Sequence, residues 1–261
     1  MRNYGFMVVE GKHDVAFLVR LFKKRFGLKQ IEQRSGLDSY WHPLLNPKER
    51  DQDSIQKRAS IPEFCQNDTH SIAIYPAGGI DELAKALVDK PWILDDTAQI
   101  TSYGMMLDAD DTTKQLPQKR FDELINELKK LGFVFIFPSK PGEITKAEPA
   151  FGIYVLPDNQ RSGTLEDILL QTAQVNYASL CTTSFDYVNT VEKLSDVGEF
   201  KKFSKPSGKN KAHVSSISSI LNPGMAIQNT IRQDQWLEGE SLKLKDVETV
   251  SNFLAELFQL G

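Results

Sequence analysis

Cysteine is scarce in this chain of 261 residues, with only Cys65 and Cys181 present. They lie far apart and form no Cys-x-x-Cys pattern, which excludes a disulfide framework or a cysteine-built zinc site and points to a reducing compartment. Long apolar runs are also missing. No window approaches the ~20 apolar residues that a membrane helix needs. The apolar stretch 5–9 is one strand long and is soon followed by Lys12 and Asp14, so no secretory leader is expected. A cytoplasmic protein with no membrane partner is the resulting expectation. Strong charge of one sign is absent as well. Net charge is −4 and the pI is about 5.7, so no global basic face advertises nucleic-acid binding. Walker A and Gly-x-Gly-x-x-Gly patterns do not occur, and neither does a repeat of 20–50 residues.

What is there alternates between strand and helix. Apolar runs at 4–10, 71–75, 103–107, 133–137 and 151–156 predict five strands, most without polar alternation. Helical spacing predicts helices over 13–26, 80–88, 118–131 and 164–172. Fully apolar strands interleaved with helices imply an α/β fold with a mostly parallel sheet covered on both faces. Residues 31–70 are polar and carry Pro43, Pro47 and Pro62, which reads as an inserted loop with at most a short helix. After about residue 175 the strand signal fades, and 185–203, 213–221 and 245–260 read as helices. The division expected is a core over 1–175 and a helical extension over 176–261 packed on it. The stripe Val247, Val250, Phe253, Leu254 and Leu257 reads as core or a dimer seam.

Acids gather where such sheets bind ligands, beyond the carboxyl ends of strands. Glu10 ends the first strand. Asp108, Asp110 and Asp111 end the third. Glu166 and Asp167 open the helix after the fifth. Carboxylates brought close together repel unless a cation or proton intervenes. Mg²⁺ prefers such hard oxygen ligands and shares them with substrate phosphates. Asp-x-Asp at a strand end is expected to send both side chains to one side. A single such pair is more often a turn; joint placement at several strand ends favours a site.

Other features carry less. His13 borders the acids, though a partly exposed helix-start histidine is the commoner role, and Lys12 could touch phosphate or be an exposed helix-start lysine equally well. Gly78-Gly79 offers backbone N–H groups or a plain turn. Lys201, Lys202, Lys205, Lys209 and Lys211 form a basic run that could follow a nucleic-acid backbone or be a solvated linker. Tyr40 and Trp41 could stack on bases, though packing is the commoner role.

Val8-Val9-Glu10-Gly11 followed by a helix, then Ala77-Gly78-Gly79, then a strand ending Asp108-Ala109-Asp110, resembles the Toprim domain over roughly residues 4–172. Its nuclease branch, the overcoming-lysogenization-defect family, and small stand-alone Toprim proteins are the nearest in pattern. The resemblance implies a Rossmann-like, mostly parallel sheet with helices on both faces. It also implies metal-dependent phosphodiester hydrolysis on nucleic acid with Mg²⁺ or Mn²⁺. Glu10, Asp14, Asp108, Asp110, Glu166 and Asp167 would be the metal ligands, with Glu10 also able to act as acid or base. A lysine after the acids falls on Lys209 or Lys211, with Lys211 favoured, to steady charge on the phosphate. That branch usually carries an ATPase domain, so an ATPase on a separate chain is a partner to expect, alongside nucleic acid and a homodimeric copy. The tyrosine domain of topoisomerases has no counterpart. The alternative reading is a Toprim module that binds metal and nucleotide or nucleic acid without cleaving it.

Overall fold

The computed structural model describes residues 2–45, 62–94, 96–110, 117–194, 196, 199–205 and 207–261. Asp111 lies outside them. Strand β1 (Asn3–Val9) sits inside a six-stranded sheet of order β2-β3-β4-β1-β5-β6. It pairs in parallel with β4 (His70–Pro76) and β5 (Ile100–Asp108), and β5 pairs in parallel with β6 (Ala150–Leu156). β3 (Glu63–Gln66) runs antiparallel to β4, and β2 (Lys29–Ile31) antiparallel to β3. The fold is therefore α/β with a mixed, mostly parallel sheet and a helical C-terminal region.

The apolar strands follow from burial on both faces. Met7 and Val9 belong to one core, Phe6 and Val8 to the other. Tyr154 and Leu156 divide from Phe151, Ile153 and Val155 in the same way. The first core is closed by α1 (Lys12–Phe26), α4 (Leu165–Asn176) and α8 (Lys245–Phe258). The second is closed by α2 (Leu83–Asp89) and α3 (Pro117–Lys130) together with Trp41. No helix among the described residues is long and apolar enough to cross a membrane.

Helix α8 reaches the sheet through glycines. A Cβ on Gly5, Gly104 or Gly152 would stand 2.5 Å from Phe258, 2.7 Å from Leu257 or 2.9 Å from Phe253. Three strands thus present a seam without side chains, and the stripe of α8 is spent within the chain as core.

Five expectations change. Residues 133–137 are not a strand. Phe133, Phe135 and Phe137 pack on the second core, while Val134 and Ile136 are exposed. The free edge of β6 is taken instead by Gly142 and Thr145, whose N–H groups donate to Ile153 and Phe151 at 2.8 and 2.9 Å. The inserted loop holds β2 and β3 and a 3₁₀ turn over Ser39–Leu44, although residues 46–61 lie outside the described residues. Trp41 is fully buried and its Nε1 donates to Ser71 Oγ at 2.9 Å, so it is a packing residue and cannot stack on bases. The helix expected over 185–203 is α5 (Ala178–Val191). Its exposed hydroxyls bond carbonyls one turn back, as Thr182 does to Ala178 at 3.0 Å, while Cys181, Ser184 and Val188 are its buried residues. Finally, α6 (Gly208–Leu221) starts early enough to carry Lys209 and Lys211, and α7 (Ile227–Gln233) is new.

Candidate functional site

At the carboxyl edge of the sheet, Gly11 breaks β1 and α1 begins. Asp14 turns back in its first turn, and its Oδ2 accepts the Gly11 N–H at 2.8 Å. Glu10 leans the other way, its Oε1 accepting the Asp108 N–H at 2.8 Å. Asp108 Oδ1 in turn accepts the N–H of Leu165, the first residue of α4, at 2.9 Å. Glu166 follows on α4 and is only 5% exposed, with its Oε2 buried and without a hydrogen-bond partner. These four acids line one pocket of about 640 Å³. Lys12 and His13 of α1, Lys211 of α6 and the turn 76–79 after β4 share its wall.

Burial, and then the neighbouring carboxylates, make Asp14, Asp108 and Glu10 hard to ionise. Burial, then the neighbouring Glu10, push the Asp14 carboxyl up to about 7. Asp108 is held well above the ordinary carboxylate range by burial and then by Asp14, Glu10 and Glu166. Burial raises Glu10 too, opposed by the Asp108 N–H and by the charges of Arg120 and Lys211. Burial lowers His13, against the pull of Glu166. A cation or bound protons would relieve this crowding.

Lys211 lines the pocket, whereas Lys209 pairs with Glu192. Neither Lys12 nor Lys211 makes an ion pair among the described residues. Two expected acids are not brought to the pocket. Asp110 has φ 58°, and this left-handed turn delivers its side chain to Arg120 of α3, so the two acids of Asp-x-Asp do not leave on one side. Asp167 serves the start of α4, accepting the Thr164 N–H at 2.7 Å, and accepts from Asn210 at 2.9 Å. Among the described residues, no three His, Cys, Asp or Glu side chains stand at spacing ready to hold a metal. Arg120, Gln228 and Ile227 were not singled out by the sequence. Their signal is tertiary: α3 and α7 are brought in by packing, not by any local motif.

No curated protein matches the chain. The crystal structure of hypothetical protein PH0156 from Pyrococcus horikoshii OT3 is similar in fold, with a TM-score of 0.51 at 17% identity, covering 98% of this chain and 95% of that one. Residues 5–259 match the family described as "Protein of unknown function (DUF3226)", a span that takes in the sheet, its two helical layers and the C-terminal helices, and the chain belongs to that family.

Proposed function

We propose that the pocket is a Toprim-like metal site and that the protein hydrolyses phosphodiester bonds in nucleic acid with Mg²⁺ or Mn²⁺. The observation that carries this reading is that Glu10, Asp14, Asp108 and Glu166, from two strand ends and two helix starts, line one pocket, where burial and then neighbouring carboxylates raise Glu10, Asp14 and Asp108 above the ordinary carboxylate range. The donor set suits a hard cation: all oxygen, with one buried carboxylate oxygen lacking any partner. Convergence on an ion would take side-chain rearrangement, since the acids do not stand at ligand spacing as they are. Bound there, the metal would supply Lewis-acid charge to a phosphoryl oxygen.

The chain's own groups have separable tasks. Asp108 and Asp14 are anchored by backbone N–H groups and would present fixed carboxylates. Glu10 is placed to hold metal or to exchange a proton near it. Lys211 and Lys12, with no carboxylate partner among the described residues, would face the phosphate and steady its charge as the bond breaks. Asp110 and Asp167 are proposed only as supports, through Arg120 and Asn210. Buried free thiols at Cys65 and Cys181 suit a reducing cytoplasm. A separate ATPase chain and a second copy of this chain are the protein partners this reading adds.

The second reading, a module that binds without cleaving, draws support from the Asp110–Arg120 pair, which keeps one expected ligand engaged elsewhere. An assay on supercoiled plasmid and end-labelled oligonucleotides with Mn²⁺ separates the two. Cleavage lost in Glu10→Gln and Asp108→Asn supports the nuclease. Metal-dependent binding with no cleavage by the natural protein supports the module.

A further inference from the structure

The pocket has a second side that metal and phosphate would not fill. Strand β4 lies across β1 from β5, so the turn after β4 is set apart from Asp108. That turn is fixed to the end of β1, with the Ala77 and Gly78 N–H groups donating to Val9 and Glu10 carbonyls at 2.8 and 3.0 Å. Gly78 and Gly79 have φ of 93° and 144°, and a Cβ on either would meet nothing within 4 Å, so space is open above them. Ile227 and Gln228 at the start of α7, with Val214 of α6, line the same pocket. None of these residues, nor the turn 76–79, carries an acid. This side offers flat backbone, aliphatic surface and one side-chain amide, that of Gln228, which is half-buried and makes no hydrogen bond among the described residues.

Resting on the metal-and-phosphate reading above, we propose that this side seats the base of one unpaired, unstacked nucleotide, with Gln228 bonding its polar edge. The chemistry fits: a base has an apolar face for the partly exposed Ile227 and an edge that both donates and accepts, as a carboxamide does. The size fits as well. A cavity of about 640 Å³ holds one nucleotide with its phosphate toward the acids. Stacked, paired bases in a duplex could not enter without being turned out. The ligand class is therefore a nucleotide in a single strand or free in solution.

Calorimetry on the full chain with Mn²⁺ tests this with three probes: ribose 5-phosphate, adenosine 5′-monophosphate and uridine 5′-monophosphate. At least one nucleotide is expected to bind about tenfold more tightly than the sugar phosphate. Gln228→Ala should erase most of that advantage while leaving Mn²⁺ and ribose 5-phosphate binding as they were, which also shows that the variant is folded. Competition by a short single-stranded oligonucleotide identifies a strand as the source, and competition by mononucleotides alone identifies free nucleotide. Equal competition by a blunt hairpin duplex overturns the proposal. Ribose 5-phosphate bound as tightly as both nucleotides overturns it while sparing the metal-and-phosphate reading. Failure of all three probes to bind overturns both.

Discussion

The carboxylate of Glu10 accepts the backbone N–H of Asp108 across 2.8 Å, so the acid ending β1 is anchored by the backbone ending β5. The Asp108 carboxylate then accepts from Leu165, which ties α4 and Glu166 to the same edge. Two adjacent strands and one helix are thereby locked around a cluster of like charge. Each bond favours an ionised carboxylate where burial disfavours it. Burial of these acids beside the pocket disfavours their charged forms.

The effect should be visible in pH. The Asp14 carboxyl is raised from 3.8 to about 7, and Asp108 and Glu10 shift in the same direction. For a raised acid, the stabilising contribution is complete below the unfolded value and is lost as pH rises through the folded one. Metal-free protein is therefore expected to melt several degrees lower at pH 8 than at pH 5. Millimolar Mn²⁺ should recover that loss at pH 8 and do little at pH 5, since a ligand at about 100 times its Kd adds roughly 2.7 kcal/mol. A scanning-calorimetry series with and without Mn²⁺ measures both effects.

Lys211 and Lys209 lie two residues apart on α6 yet have different surroundings. Lys211→Ala is expected to slow cleavage about 10²-fold, in the range seen when one charge-stabilising donor is removed. Lys209→Ala loses only its surface pair with Glu192 and should retain full activity. Single-turnover rates on one oligonucleotide compare them directly.

Asp110 offers a similar contrast with Asp108. Its partner is Arg120, and its side chain is not in the pocket wall. Asp110→Ala should therefore leave Mn²⁺ affinity within about threefold of the natural protein, a change under 1 kcal/mol. A loss as large as that of an Asp108 variant would show that Asp110 swings in to bind metal.

Much of this architecture is legible in the sequence. The strands at 4–10, 103–107 and 151–156 are readable because both faces are buried, and α3 and α8 because each has one apolar stripe. Glu10 and Glu166 are readable because Gly11 and Thr164 mark the strand–helix junctions beside them, and Asp108 because it ends an apolar strand. Residues 133–137 mislead, because a run of alternating phenylalanines suits an extended segment lying on a sheet as well as a strand within it. Asp110 and Asp167 mislead for a related reason. One backbone torsion turns the first toward Arg120, and helix capping claims the second. Helix α7 is seven residues long, too short for a period, and its place in the pocket comes wholly from packing.

The glycine seam gives a prediction that concerns the fold alone. A methyl group on Gly104 would stand 2.4 Å from Met7 Sδ and 2.7 Å from Leu257 Cδ2. Gly104→Ala should cost about 1–3 kcal/mol, the usual penalty for overpacking a core. Chemical denaturation reads the loss, and Mn²⁺ affinity should be unchanged because the seam faces α8 and not the pocket.

The most direct test is calorimetric titration of Mn²⁺ at pH 8 into the natural protein and Asp108→Asn. Asparagine keeps an acceptor for the Leu165 N–H and removes one charge from the cluster. The account predicts saturable binding to the natural protein and at least a tenfold loss in the variant, a difference of about 1.4 kcal/mol or more. Equal binding by both proteins, or none by either even with nucleic acid present, would contradict it.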